Sequence, residues 1–257
     1  MNWKKKLATY ASLTVLATFI IHIINKLIYF MSTIDNLLGR KEGLYYEWRF
    51  GKIFYTKEGT GKPILLIHDL SACSSEYEWN RIVSDLSKTN TVYTLDLLGC
   101  GKSDKPNFTY TNFLYVQLVT DFINNVIGEK ADVIVTGNSC SFVLMACHNN
   151  DEIIDRILLI NPPSISSISK VPTKRTKMLK FIINIPFIGT LLFNLLLSKD
   201  SIEQTFMTEY FYNPQFVDDE IVKTYCESAQ ISKTQSKYLF ASIKGKYTTA
   251  NITECLT

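Results

Sequence analysis

The sequence predicts an α/β protein: a mostly parallel sheet covered by helices on both faces, with a helical insertion and an N-terminal transmembrane helix. Three observations predict it. Short β-branched runs alternate with helical patterns from about residue 44 to 160, as repeated strand–helix units do. One run, Pro63-Ile-Leu-Leu-Ile-His68, is continuously apolar, the mark of a strand buried on both faces. Another, Asp132-Val-Ile-Val-Thr136, passes through Gly137-Asn138-Ser139-Cys140-Ser141 directly into the helical pattern that begins at Phe142.

The elements follow in order. Lys4-Lys5-Lys6 precedes Leu7 to Ile24, eighteen residues with no acid or base except His22, and the apolar pattern continues to Phe30. That length spans a bilayer as a helix. A cleaved signal peptide would have a shorter apolar region and a small-x-small site, which Ile21-His-Ile-Ile-Asn-Lys26 does not offer. Residues 1–31 therefore read as a membrane anchor, and the lysine cluster points to an inside N-terminus with the main domain extracytoplasmic. After a linker near 32–43, Leu44–Arg49 and Lys52–Lys57 flank Phe50-Gly51 as a hairpin. A core over 44–163 then holds strands at 63–68, 91–95, 133–136 and 156–160. Helices are expected at 76–87, 115–127 and 139–149.

The alternation stops at Asn161-Pro162-Pro163. Residues 164–235 read as a helical cap, and 236–257 as a return to the core. Within the cap, Leu179 to Leu197 is apolar enough to raise a second span, but Pro186 and Gly189 interrupt it. Two short helices are expected there instead.

Composition excludes several classes. The net charge is +3 with scattered basic residues, so nucleic acid is not indicated. Six cysteines form no CxxC pair, and only three histidines are present, so neither a zinc site nor a disulfide framework is read. Gly101-Lys102-Ser103 resembles the end of a phosphate-binding loop, but Asp96 stands where its first glycine belongs and Pro106 opposes the helix that should follow.

Four landmarks stand in register over roughly 120 residues. They are Leu66-Ile-His68-Asp69, Asp96-Leu-Leu-Gly99-Cys-Gly101-Lys-Ser103-Asp104, Gly137-Asn-Ser139-Cys-Ser141, and the Asn161-Pro-Pro exit. On these the chain resembles the α/β-hydrolase superfamily, in its branch with a helical cap and a serine nucleophile. The resemblance implies Ser139 as nucleophile on a strained strand-to-helix turn, with backbone amides of Leu70 and Cys140 as the oxyanion hole. An ordinary helix N-cap is the alternative role for Ser139. Two departures stand out. Ser141 replaces a usual glycine, and Asp69 replaces the glycine of a usual His-Gly pair, which puts a carboxylate beside the expected hole.

A serine nucleophile needs an imidazole and an acid. His22 lies in the expected span, and His148 lies nine residues beyond Ser139 on one helix, roughly 13 Å along its axis. His68 is, by the resemblance, a loop support. The superfamily's acid and histidine follow strands beyond the cap, so the expectation is that residues 1–257 are the front of a longer hydrolase. The functional reading is a membrane-anchored serine hydrolase of an ester, lipid-like or amide substrate through an acyl-enzyme on Ser139, with no cofactor or metal. The alternatives are a non-catalytic binding protein of the same fold and an inactive fragment.

Overall fold

The apolar N-terminal run forms one helix, α1 (Trp3–Thr33), about 46 Å long at 1.5 Å per residue. The structure, a computed structural model, describes residues 3–232 and 236–256. The expected cap boundary at 235 and the final residue 257 lie outside the described residues. Most of α1 presents bare apolar side chains, among them Leu13, Val15, Leu16 and Phe19. Its C-terminal third packs on the helical segment described below. A short 3₁₀ turn, Leu38–Arg40, then leads to the sheet.

Among the described residues six strands follow: β1 (Leu44–Trp48), β2 (Gly51–Glu58), β3 (Lys62–Ile67), β4 (Asn90–Leu95), β5 (Ala131–Thr136) and β6 (Ile154–Ile160). Their order is β1-β2-β4-β3-β5-β6. The β1–β2 and β2–β4 pairs are antiparallel, and β4, β3, β5 and β6 run parallel. The hairpin turn is Arg49-Phe50, with Trp48 paired to Gly51, one residue earlier than expected. β3 lies centrally, flanked by β4 and β5, which is why Leu65, Leu66 and Ile67 are fully buried. β6 is the last strand of the sheet, and Leu158 there is 56% exposed.

The helix expected over 76–87 is broken into a 3₁₀ turn at Glu76–Trp79 and the single-turn α2 (Val83–Leu86). Tertiary hydrogen bonds override the pattern: the Glu76 amide donates to the Asp96 carboxylate at 2.6 Å, and the Ser75 side chain caps the turn. The apolar face survives, since Trp79 and Val83 still pack on Ile64, Leu66 and Val92. α3 (Asn112–Phe122) starts earlier than expected because the Thr111 hydroxyl accepts the Leu114 amide, and it ends in a π turn closed by Gly128 at φ 77°. α4 (Cys140–Asn149) follows β5. With α3 it covers the second sheet face through Tyr115, Leu118, Val119, Phe142 and Val143.

After β6 the chain is helical: α5 (Ile165–Ile168), α6 (Lys174–Asn184), α7 (Ile188–Leu196), α8 (Lys199–Thr205) and α9 (Asp219–Gln230), then α10 (Lys237–Lys244). The apolar 179–197 stretch is two helices, α6 and α7, bent by 105° at the Pro186 break. α1 is tied to this segment by polar side chains. Asn25 donates to the Phe187 carbonyl, Asn194 to Asn25, and Gln230 to Asn194, at 2.9–3.0 Å. The Leu37 and Leu38 amides both donate to the Glu227 carboxylate.

Candidate active site

The turn between β5 and α4 is built around Gly137, whose φ is +54°. Glycine takes that conformation without the Cβ clash that other residues incur. Space alone would also demand glycine here, since a Cβ on residue 137 would lie 2.2 Å from Asp69 Oδ1. Asp69 stands at the end of β3, which pairs with β5 through Ile67 and Val135. Its carboxylate therefore reaches directly across to the turn. The Asn138 amide donates to Asp69 Oδ1 at 2.6 Å, and the Asn138 side chain donates to the same oxygen at 3.2 Å.

The sequence places Ser139 on a strained strand-to-helix turn that needs small residues around it, and in the structure the left-handed backbone of that turn falls at Gly137. Gly137 begins a 3₁₀ turn, Gly137–Ser139, which leads directly into α4. The carboxylate acts as a cap on the first free amide, so helical geometry starts early. Ser139 consequently sits at φ −66°, ψ −21°, an ordinary helical conformation, and is fully buried. Its hydroxyl donates to the His68 carbonyl at 2.6 Å. The Cys140 amide, expected in the oxyanion hole, closes the same turn onto the Asn138 and Gly137 carbonyls. The Cys140 thiol is pushed up to about 11 by burial. The Leu70 amide, the other expected donor, faces the Asp69 carboxylate and helps hold its charge.

Ser141 fits in place of glycine because it is paired on both sides. Its hydroxyl accepts from Asn112 at 2.8 Å and donates to the Asn138 carbonyl at 3.0 Å.

No histidine ring is hydrogen-bonded to the Ser139 hydroxyl among the described residues. The His68 ring is spent on backbone: Nε2 accepts the Leu97 amide at 3.0 Å, which leaves Nδ1 to donate to the Asp69 carbonyl at 2.8 Å. Complete burial lowers its pKa to about 4, so the ring is neutral and clamps the β3 and β4 exits together. His22 packs edge-on against Phe187, and His148 lies in the last turn of α4. Lys102, of the phosphate-loop-like tripeptide, donates to the Leu38 and Lys41 carbonyls and covers the Phe54 ring. It pins the linker to the core.

Two groups at this turn were not legible in the sequence. Glu78 accepts the Asp69 amide through Oε2 and the Thr136 hydroxyl through Oε1. Burial pushes its carboxyl up to about 7. Tyr210, from the π turn Phe206–Tyr210, gives its hydroxyl to the Asp69 carboxylate. Burial also raises the Asp69 carboxyl, an effect opposed by the amide and hydroxyl donors around it. Glu78 had looked like one polar position on a helix, and Tyr210 like one aromatic in an irregular stretch; neither carries a spacing signal.

The strand order, the β5 turn and the β3 loop together match a known architecture, and a model of the alpha/beta hydrolase family covers residues 64–247. The chain belongs to the α/β-hydrolase family. Among curated relatives, a 2-hydroxy-6-oxo-6-(2'-aminophenyl)hexa-2,4-dienoic acid hydrolase of Metapseudomonas resinovorans is 34% identical over 86 residues, covering 33% of this chain and 29% of that protein. A soluble epoxide hydrolase of a Corynebacterium species is 25% identical over 110 residues, covering 43% and 38%. The matched stretches thus span about a third of those relatives' length. Solved structures extend the fold likeness. A variant of the meta-cleavage product hydrolase CumD of Pseudomonas fluorescens superposes with a TM-score of 0.59 at 18% identity, over 81% of this chain and 73% of that one. The epoxide hydrolase CorEH gives 0.61 at 17%, over 79% and 73%.

Proposed function

We propose that this member of the α/β-hydrolase family is a membrane-anchored, non-catalytic binding protein whose turn at the end of β5 does not hydrolyse. One observation carries the reading: the Asp69 carboxylate lies on the Asn138 amide, against Gly137. An oxyanion hole works by aiming free donors at a developing negative charge. Here the Asp69 carboxylate already stands on the Leu70 amide, one of the two expected donors, and the Cys140 amide closes the turn onto the Asn138 and Gly137 carbonyls. A second negative charge would be repelled in a low-dielectric site. The Ser139 hydroxyl is also turned to the His68 carbonyl instead of a base.

The second reading is hydrolysis of an ester, lipid-like or amide substrate through an acyl-enzyme on Ser139. Family membership and the hydrolase names of the relatives favour it. It requires Asp69 to leave the amides and Ser139 to release the His68 carbonyl. Reaction of the full chain with a fluorophosphonate probe separates the two. The expected result is no labelling that depends on Ser139, with Ser139→Ala indistinguishable from the parent. Labelling that disappears in Ser139→Ala would overturn the binding reading in favour of the acyl-enzyme.

The anchor reading rests on the length and bare apolar surface of α1, and the preceding lysines favour an extracytoplasmic main domain. Retention in the membrane pellet after alkaline carbonate extraction is its test; release into the supernatant would remove the anchor.

A further inference from the structure

A second polar region lies where α1 meets α7 and α10. There a cavity of about 470 Å³ opens between the two. One wall comes from α1, with His22, Lys26 and Tyr29; the other includes Phe187, Thr190 and Lys237. Among the described residues no aspartate or glutamate lines it. Lys237 is only 6% exposed, and its ammonium donates to the Thr190 hydroxyl at 3.1 Å and lies 5.1 Å from the Tyr238 ring centre. Among the described residues it has no carboxylate partner. The Ser232 hydroxyl, also on the cavity wall, is buried with no hydrogen-bond partner among the described residues.

These observations converge on one kind of occupant. A buried cation without a counter-charge is costly, and so is a buried hydroxyl without a partner. An anion with several acceptor oxygens relieves both at once. Tyr29, Pro186, Phe187 and Tyr238 add apolar and aromatic surface to the wall, so the occupant carries hydrocarbon as well. Lys26 stands two residues after the uncharged stretch that ends at Ile24 and within the apolar pattern that continues to Phe30, where a long basic side chain reaches from hydrocarbon toward headgroups. Asn25, one residue before it, is locked to Phe187 and Asn194, which fixes the α1 wall against α7.

We propose that the cavity between α1 and α7–α10 is a binding site for the phosphate headgroup of an anionic phospholipid, with Lys237 and Ser232 on the phosphate oxygens and Lys26 at the rim. The site rests on the anchor reading for its access to lipid, but its chemistry does not require the chain to cross the bilayer.

The test uses the full chain in detergent micelles, with dioleoylphosphatidylglycerol and dioleoylphosphatidylcholine as probes and native mass spectrometry counting retained lipid. The expected result is preferential retention of phosphatidylglycerol, weakened about tenfold in Lys237→Gln, the size expected for one charge-assisted hydrogen bond. Lys237→Arg should retain most of the binding, and Lys244→Gln, on the same helix, should retain all of it. Circular dichroism of each variant separates lost binding from lost folding; should Lys237→Gln fail to fold, Lys26→Gln with Ser232→Ala carries the test with the same direction. Equal retention of both lipids, or undiminished binding in folded Lys237→Gln, overturns the proposal. Displacement of phosphatidylglycerol by millimolar inorganic phosphate would keep the anion site and overturn its lipid occupant. Carbonate extraction fails independently of this binding, so a failed anchor and a failed lipid site are told apart.

Discussion

The β5 turn and the α1 cavity satisfy their polar groups in opposite ways. At the turn, the Asn138 amide, the Ser139 hydroxyl, the Ser141 hydroxyl and the Asp69 carboxylate all find partners within the chain. At the cavity, a buried ammonium has no carboxylate and a buried hydroxyl has no partner among the described residues. The polar groups of the β5 turn are thus paired within the chain, while groups that could receive a ligand lie at the α1 cavity. A turn that satisfies itself gains stability and loses the free donors that catalysis uses; unsatisfied groups cost stability until something binds.

The comparison breaks most directly at Gly137. Gly137→Ala adds a Cβ at φ +54° and within 2.2 Å of Asp69 Oδ1. The backbone conformation alone costs about 1–3 kcal/mol, and the clash adds to it. Thermal unfolding should show a loss of about 3 kcal/mol or more, a size reached by few single substitutions. Adding Asp69→Gly should recover the part due to the clash and leave the part due to the backbone. Full additivity of the two changes would mean that Asp69 does not fill the turn.

A second effect is pH-dependent. The Glu78 carboxyl titrates near 7 in the folded chain, against an ordinary 4.5, so the folded state binds its proton more tightly than the unfolded state. Its contribution is therefore complete below pH 4.5 and is lost as pH rises through 7. Glu78→Gln, which keeps an acceptor and a donor but cannot ionise, should stabilise the chain at pH 8 by up to about 3 kcal/mol. It should change little at pH 4. Denaturant unfolding at the two pH values measures this, and a gain of equal size at both would show that charge is not the cause.

The smallest effect belongs to the junction that carries the cavity. Asn25→Ala removes the hydrogen bonds to Phe187 and Asn194 and should cost about 1–2 kcal/mol. Hydrogen exchange should rise in the C-terminal third of α1 and in α7, with β5 and α4 unchanged. Unchanged exchange in α1 would mean that the helix is not docked there.

Much of the fold was legible in the sequence. The continuous apolar run of β3, the alternation through β6 and the break at Pro186 each act locally, through burial and backbone chemistry that neighbours in sequence express. The hairpin turn was displaced by one residue, and the helix over 76–87 was lost because Asp96, twenty residues away, took the Glu76 amide. The site was only half legible. Asp69 stood out as a departure beside the expected oxyanion hole, but nothing in the spacing showed its carboxylate lying on Asn138 and against Gly137.

The sequence by itself determined the α/β class, the strand sequence, the long apolar N-terminal helix and the small residues around the β5 turn. These follow from periodicity and from which residues tolerate which backbone, both local properties. Only the tertiary structure decided which group the Ser139 hydroxyl meets and where polar groups stay open among the described residues. The partners of Asn138 and Ser139 come from the end of β3, about seventy residues earlier, and those of Asn25 lie more than 160 residues later. Such pairings are fixed by strand register and helix docking, and local pattern does not encode them.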